Sequence, residues 1–326
     1  MTFREFIEIA SCSVYIFSHF PEKLPGERLL VQAWHGIPLK GLNFMSKNFD
    51  GFKETNKNHV TFNNADFVLS SSRNYEILMG ACMGIPQSKF VRTGFPRNDY
   101  LFEADEDLKK IALELFGDRG VTIRTKIITY MPTYRIGRNR ALVDGKIREG
   151  NIFGFDLFCP RSFEEFLAEN DCVIIAKLHP FEEDYYKQDE SSRIKLLKSD
   201  WLHEKKLDVY QILCASDMLI TDYSSVFFDY LLVDRPIIFV TPDLEDYKGN
   251  RGFLLEPYES WTPGPKVQTQ MELLEAIRAY LADASLDEED RKAIKRVMFD
   301  GGLEKNNAER VWEMVIRPYI TSSVDR

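Results

Sequence analysis

The sequence predicts an α/β protein built on two doubly wound parallel sheets, and three observations predict it. Short apolar runs recur along the chain, each ending in a polar cluster: Ile127–Met131 into Pro132-Thr-Tyr-Arg135, Cys172–Lys177 into Leu178-His-Pro180, Leu219–Thr221 into Asp222-Tyr-Ser-Ser225, and Pro236–Thr241 into Pro242-Asp-Leu-Glu245. Runs of that length without alternation read as strands buried on both faces. In the segment Leu219–Tyr230 the strand breaks into polar residues and restarts as an amphipathic helix within four positions, a strand-to-helix turn of the kind that offers backbone N–H groups and a helix dipole to an anion. The first hundred residues repeat the pattern.

In chain order, Ser13–Phe17 and Arg28–Ala33 read as strands, the second ending in Trp34-His-Gly-Ile-Pro38. In the region Leu42–Phe62, Phe44, Met45, Phe49, Phe52 and Phe62 are interleaved with Lys40, Lys47, Lys53 and Lys57. It reads as aromatics packed inward with solvated lysines, or as an interfacial segment on anionic lipid; the packed reading is favoured. Ala65–Leu69 leads into Ser70-Ser-Ser-Arg73, and Phe90–Arg92 into Thr93-Gly-Phe-Pro-Arg-Asn-Asp99. Residues 101–126 are charged and helical in pattern and carry the expected domain boundary. Arg138–Gly150 reads as a loop, as does Pro257–Gln270, followed by a helix from about Met271, a solvated helix over Asp283–Lys295 and a last helix over Asn307–Tyr319.

In a doubly wound sheet the polar strand ends lie on one edge, where ligands bind. Ser224 and Ser225 are therefore candidate anion donors, the alternative being an N-cap serine worth about 1 kcal/mol to its helix. Asp229 lies four residues after Ser225, one turn along the same helical face, either as a ribose acceptor or as an ordinary surface residue. Composition excludes several classes. With 44% apolar and 29% charged residues the chain is globular, and a net charge of −9 argues against a nucleic-acid-binding surface. No Gly-rich dinucleotide or P-loop fingerprint occurs. Cys12, Cys82, Cys159, Cys172 and Cys214 have neither zinc nor redox spacing and read as buried thiols in a reducing compartment. Neither a signal peptide nor a membrane-spanning run is legible, so a cytoplasmic location is expected.

Six motifs in order carry a resemblance: Trp34–Lys40, Thr93–Asp99, Met131–Arg135, Lys177–Pro180, Ile220–Ser225, and Pro242–Tyr247 followed by Arg251-Gly-Phe253. Over about residues 4 to 310 the chain resembles the CDP-glycerol glycerophosphotransferase family of teichoic-acid primases and polymerases and their capsule-polymer relatives. That resemblance implies a GT-B-like fold of two Rossmann-like domains facing across a cleft. The N-terminal acceptor domain is expected over 1–118 and the CDP-donor domain over 119–326, with the last helix able to cross back. The family's N-terminal domain carries elements before the position of Ile7–Phe17 that are absent here, so this domain is expected to be shortened and incomplete.

The implied reaction is attack of an acceptor hydroxyl on the β-phosphorus of CDP-glycerol, or a similar CDP-polyol, with CMP leaving. His35 matches the family histidine and is the candidate general base, the alternative being a structural histidine bonded to a loop carbonyl. His179 would bind or protonate the leaving phosphate. Arg135 and Lys177 would neutralise the diphosphate, Ser224 and Ser225 would hold it, Asp222 would orient His179 or the loop, and Arg251 would close over phosphate from a flexible loop, the alternative being a solvated surface arginine. Arg97, Asn98 and Asp99 are assigned to acceptor or domain-closing contacts. No cofactor is required, no metal site is expected, and Mg2+ stays open because a diphosphate can carry it. The partners are the CDP-polyol and a glycan or polyol-phosphate acceptor, lipid-linked or free, with peripheral contact at the inner face of the membrane as an option and no nucleic acid. CDP-ribitol as donor, a UDP-sugar enzyme on the same scaffold, and a noncatalytic CDP-polyol-binding or polymer-binding relative are the alternatives.

Overall fold

The computed structural model describes residues 12–19, 28–47, 64–103, 106–117, 120–135, 148, 150–186, 192–303 and 305–324. Contacts divide the chain into two compact units, Met1–Asp99 with Arg296–Arg326, and Tyr100–Lys295.

The first unit holds four parallel strands in sequential order: β1 (Val14–Phe17), β2 (Leu29–Gln32), β3 (Phe67–Ser70) and β4 (Phe90–Arg92). Helix Arg73–Met83 follows β3. Ser72 caps it by accepting from the Tyr75 amide, and Gly84 ends it in the left-handed region. The C-terminal residues return to this unit as a helical run over Asn307–Val324 with a π turn at Trp312–Ile316. Asp99 accepts from the amides of Asn307 and Ala308, both at 2.8 Å, and Arg310 donates to the Thr93 carbonyl at 2.9 Å. Gly94, at φ +72°, lets the chain pass there, because a Cβ would meet Asn307 Oδ1 at 2.0 Å. The loop Thr93–Asp99 is thus the anchor of the C-terminal helices.

The second unit carries β5 (Lys126–Tyr130), β6 (Cys172–Ala176), β7 (Ile194–Leu196), β8 (Met218–Thr221), β9 (Ile237–Val240) and β10 (Lys266–Val267). All pair in parallel in the order β10-β9-β8-β5-β6-β7. Successive residues point to opposite faces and both faces are covered. Ile128, Ile174 and Ala176 pack with Phe153, Phe163 and Leu273, while Ile127, Val173 and Ile175 pack with Ala112, Phe116 and Ile212. The strand order reverses between β5 and β8, the topological switch point at which sheets of this kind bind ligands.

Several expectations are corrected. The division falls after Asp99 rather than near 118, because Ala112, Leu113 and Phe116 from helix Glu106–Leu113 and the turn after it are core residues of the second unit. Strands β7 and β10 were not expected; both are short, and each contains a lysine, Lys195 and Lys266. The expected solvated helix begins at Glu288 and runs to Met298. Two of the five cysteines, Cys12 and Cys159, are exposed rather than buried. Most of Leu42–Phe62 and of Arg138–Gly150 lies outside the described residues. No described helix is long and apolar enough to cross a membrane.

Candidate functional site

At the switch point of the second unit, β5 and β8 release their chains side by side, and the residues that follow lock together. Asp222 is the hub. Its Oδ1 accepts from the amides of Thr133 at 2.7 Å and Ser224 at 3.1 Å, while its Oδ2 lies 2.8 Å from Arg148 Nη2 and 3.1 Å from Arg135 Nη2. Arg135 Nη2 also reaches Asp243 Oδ1 at 3.3 Å, Asp243 accepts from the Tyr223 hydroxyl at 2.9 Å, and Tyr258 donates to the Asp222 carbonyl at 3.0 Å. Glu182 accepts from the Arg135 amide at 2.8 Å. The Arg135 guanidinium lies over the rings of Tyr223 and Tyr247, which stack on each other 4.0 Å apart. Burial and the neighbouring carboxylates push the Tyr223 hydroxyl far above the ordinary phenol range, so it remains a donor. Burial disfavours the Arg148 charge, yet Tyr130, Asp222 and Glu182 outweigh it and raise the group's pKa further.

The cluster is buried, with Arg135 and Asp222 each 1% exposed. Buried charges persist only when paired and hydrogen-bonded. Three carboxylates, Asp222, Asp243 and Glu182, surround the two guanidinium groups, and among the described residues Arg135 Nε and Nη1 and Arg148 Nη1 have no hydrogen-bond partner. Ser225 is the N-cap of helix Val226–Tyr230 and makes no side-chain capping bond, while Ser224 precedes it with its amide held by Asp222.

Beside β6, His179 is stacked on Tyr134 at 4.6 Å and edge-on to Phe181 at 4.7 Å. Its Nδ1 accepts from the Phe181 amide at 3.3 Å, which puts the proton of the neutral ring on Nε2 as a donor. Burial first, and then the Lys177 charge, lower its pKa below the ordinary imidazole value. Lys177 is not beside it in function: its ammonium bonds Glu183, the Leu178 carbonyl at 2.9 Å and Ser199 Oγ at 3.2 Å. Strand β6 ends at Ala176, so the alternation that would align Lys177 with His179 does not continue. In this structure Lys177 is thus paired with Glu183.

Asp229 is not an ordinary surface residue. It is 1% exposed and accepts from the Tyr210 hydroxyl at 2.6 Å, because the short helix that carries it is buried all round. Arg251 ends helix Leu244–Asn250, with its amide on the Tyr247 carbonyl at 2.9 Å, and is not on a flexible loop. A cavity of about 970 Å3 lined by Phe155, Phe158, Cys159, Pro242, Gln270 and Arg278 lies beside the cluster without including any of its residues.

In the first unit, His35 follows β2. Trp34, at φ +43°, turns the chain; its amide bonds Gln32 Oε1 at 2.9 Å and its carbonyl accepts from Arg97 at 2.9 Å. A bulky residue in that conformation stores strain of order 1–3 kcal/mol and marks a position held by its surroundings. His35 Nδ1 lies 3.0 Å from the Ser18 carbonyl. A carbonyl only accepts, so Nδ1 carries the hydrogen and Nε2 keeps its lone pair. Desolvation by surrounding protein lowers the pKa of His35, the Ser18 carbonyl opposes that, and His19, Arg97 and Lys40 lower it further, although the ring keeps an exposed face. Of the loop residues, Arg97 steadies Trp34 and lies over Phe95 at 4.3 Å. Asn98 is fully buried with neither amide atom bonded among the described residues. Asp99, expected to make acceptor or domain-closing contacts, holds the start of the C-terminal helices, its two carboxylate oxygens accepting from the amides of Asn307 and Ala308.

Sequence reasoning missed Arg148, Glu182, Tyr223 and Asp243. Tyr223 and Asp243 stand inside quoted motifs, but Arg148 pairs with a residue 74 positions away and has no sequence signal. Among the described residues no group of three or more His, Cys, Asp or Glu is arranged to hold a metal ion.

The profile of the CDP-glycerol:poly(glycerophosphate) glycerophosphotransferase family matches residues 1–317. The chain belongs to that family. It is 32% identical to a teichoic acid poly(glycerol phosphate) polymerase of Bacillus spizizenii over 262 residues, 78% of this chain and 61% of that one. It is 27% identical to a teichoic acid ribitol-phosphate primase of the same organism, over 81% of this chain and 65% of that one. A glycerol-phosphate transferase of Staphylococcus aureus is 29% identical over 76% and 61%. The chain therefore spans about three fifths of the length of these curated relatives. A structure of the wall teichoic acid polymerase TagF superposes with a TM-score of 0.74 at 22% identity, covering 96% of this chain and 74% of that one, a likeness that shows the α/β fold with parallel sheets.

Proposed function

We propose that this family member transfers a polyol phosphate from a CDP-polyol to a hydroxyl of a cell-envelope polymer, teichoic acid or capsule, and releases CMP. The observation that carries the proposal is the state of His35, whose Nδ1–H is committed to the Ser18 carbonyl and whose Nε2 is left as an acceptor in a ring of lowered pKa. A general base needs that combination near neutral pH. In the reaction the acceptor oxygen bonds to the β-phosphorus, its proton passes to His35 Nε2, and the bond from that phosphorus to the bridging oxygen breaks with its electrons leaving on CMP. His179, with Nε2–H as donor, serves the departing phosphate. The Ser224 and Ser225 hydroxyls and the unbonded edge of Arg135 serve the diphosphate, and Asp222 holds the loop that presents them. Charge neutralisation and alignment then supply most of the rate.

The first unit takes the acceptor role and the second the donor role. Arg97 and Asn98 are the remaining acceptor candidates. Glycerol and ribitol both stay open as the polyol, because relatives of both kinds match at similar identity. A cytoplasmic location with peripheral contact to the membrane fits the proposed lipid-linked acceptor. The test is His35→Gln: transfer falls by about 10²–10⁴-fold while CDP-polyol affinity is kept. Unchanged transfer overturns the base assignment, and loss of donor affinity together with transfer makes His35 a binding group.

A further inference from the structure

Arg148 stands outside all six sequence motifs, yet its buried guanidinium meets a group on each of the three loops that follow β5, β8 and β6. Nη2 donates to the Thr133 carbonyl at 2.7 Å and to Asp222 Oδ2 at 2.8 Å, and Nη1 lies 3.9 Å from Glu182 Oε1. Both carboxylates hold backbone in turn. Asp222 Oδ1 accepts from the Thr133 and Ser224 amides, Glu182 Oε1 accepts from the Arg135 amide at 2.8 Å, and the Glu182 amide donates to the His179 carbonyl at 2.7 Å. The side chain is seated as well. The Arg148 carbonyl accepts from the Tyr186 hydroxyl at 2.9 Å, and Gly154, at φ +78°, leaves room for the stem, since a Cβ there would lie 3.1 Å from Arg148 Cγ.

We propose that Arg148 is a positioning residue for the donor, a brace that sets the register of the loops carrying Arg135, His179 and the Ser224-Ser225 pair. It touches no substrate in this role and acts through Asp222 and Glu182. Arg135 is placed differently: its side chain pairs with Asp222 and Asp243, and it meets Glu182 through its backbone amide. Arg148 is thus the side chain seen to bridge Asp222 to Glu182. The bridge needs a planar fork, because two nitrogens of one guanidinium serve a carbonyl and two carboxylates at once, and the single ammonium of a lysine does not present donors in that geometry. Misplacing aligned groups by about 1 Å costs on the order of 10²-fold in rate. The defect from losing the fork therefore falls on the donor, whose phosphates the three loops are proposed to hold, and leaves the acceptor in the first unit unaffected.

This rests on the second unit being the donor site, and the test separates the two claims. Arg148→Lys keeps the charge and loses the fork; Arg148→Gln, neutral but still a donor, is run beside it so that the result does not depend on one variant folding. Calorimetry with CDP-glycerol and CDP-ribitol, the KM values of donor and acceptor, and amide hydrogen exchange are measured where circular dichroism shows the proteins folded. Donor affinity should weaken and donor KM rise about tenfold or more, with acceptor KM unchanged and faster exchange at the Thr133, Arg135, Glu182 and Ser224 amides. Donor affinity within about twofold of wild type in a folded variant overturns the brace, and so does an equal rise of donor and acceptor KM, which a general loosening of the fold would give. If wild type binds neither CDP compound, the donor reading falls instead, and exchange decides the brace: a rise confined to those amides keeps it, and unchanged exchange removes it.

Discussion

Replacing Asp222 with asparagine should destabilise the second unit through one group. Asp222 spends Oδ1 on two backbone amides and Oδ2 on two buried guanidinium groups. Asparagine has one acceptor oxygen. If that oxygen stays on Thr133 and Ser224, its NH2 group faces Arg148 Nη2 and Arg135 Nη2, donor against donor. Breaking a buried pair by removing one partner costs about 3–5 kcal/mol, because a buried charge is left uncompensated. Arg135 keeps Asp243 at 3.3 Å, and Arg148 keeps the Thr133 carbonyl at 2.7 Å with Glu182 at 3.9 Å, so the lower figure applies. Equilibrium urea unfolding should show a loss of about 3 kcal/mol, and a thermal midpoint lower by on the order of 10 °C. Hydrogen exchange over 126–135 and 218–230 should rise before the rest of the sheet. A loss below about 1 kcal/mol, with exchange unchanged in those segments, would refute the hub role of Asp222.

Three further outcomes follow from the same geometry. Asp99→Ala removes both caps from the C-terminal helices, at about 1–2 kcal/mol, and should raise hydrogen exchange over 307–324 while leaving the second unit unaffected. Native protein should offer Cys12 and Cys159 to a thiol reagent and withhold Cys82 and Cys172, since burial pushes those two thiols up to about 11 and 12; fast labelling of the withheld pair would contradict their packing. Glu76, 2% exposed, has burial working to raise its pKa and bonds from Arg92, Gln87 and Arg73 outweighing it, so its folded value lies below the ordinary one. Its contribution is then present above the unfolded carboxylate pKa near 4.5 and is lost as pH falls through the folded value; Glu76→Gln should be less stable than wild type at pH 7 and should close the gap in acid.

The strands and their polar ends were legible because parallel strands buried on both faces leave unbroken apolar runs, as in Cys172–Ala176 and Ile237–Val240. Strands β7 and β10 were not, since three and two residues with a lysine in each carry too little pattern. Motif residues were locatable, but their partners were not. Nothing in the spacing of Lys177 and Glu183 says that they pair, and nothing near Asp99 says that its partners are 208 and 209 residues away. Charge pairing has no period, so a polar residue at a strand end reads equally well as a ligand group or as an internal tie. The tautomers of His35 and His179 depend on one carbonyl and one amide, which only the folded chain supplies.

The most direct test of the account is calorimetric titration of the purified protein with CDP-glycerol, CDP-ribitol, CDP and UDP-glucose, followed by CMP release with a polyol-phosphate-primed acceptor. The account predicts binding of a CDP-polyol, and CMP release that depends on the acceptor. Binding of UDP-glucose with none of the cytidine compounds would contradict it.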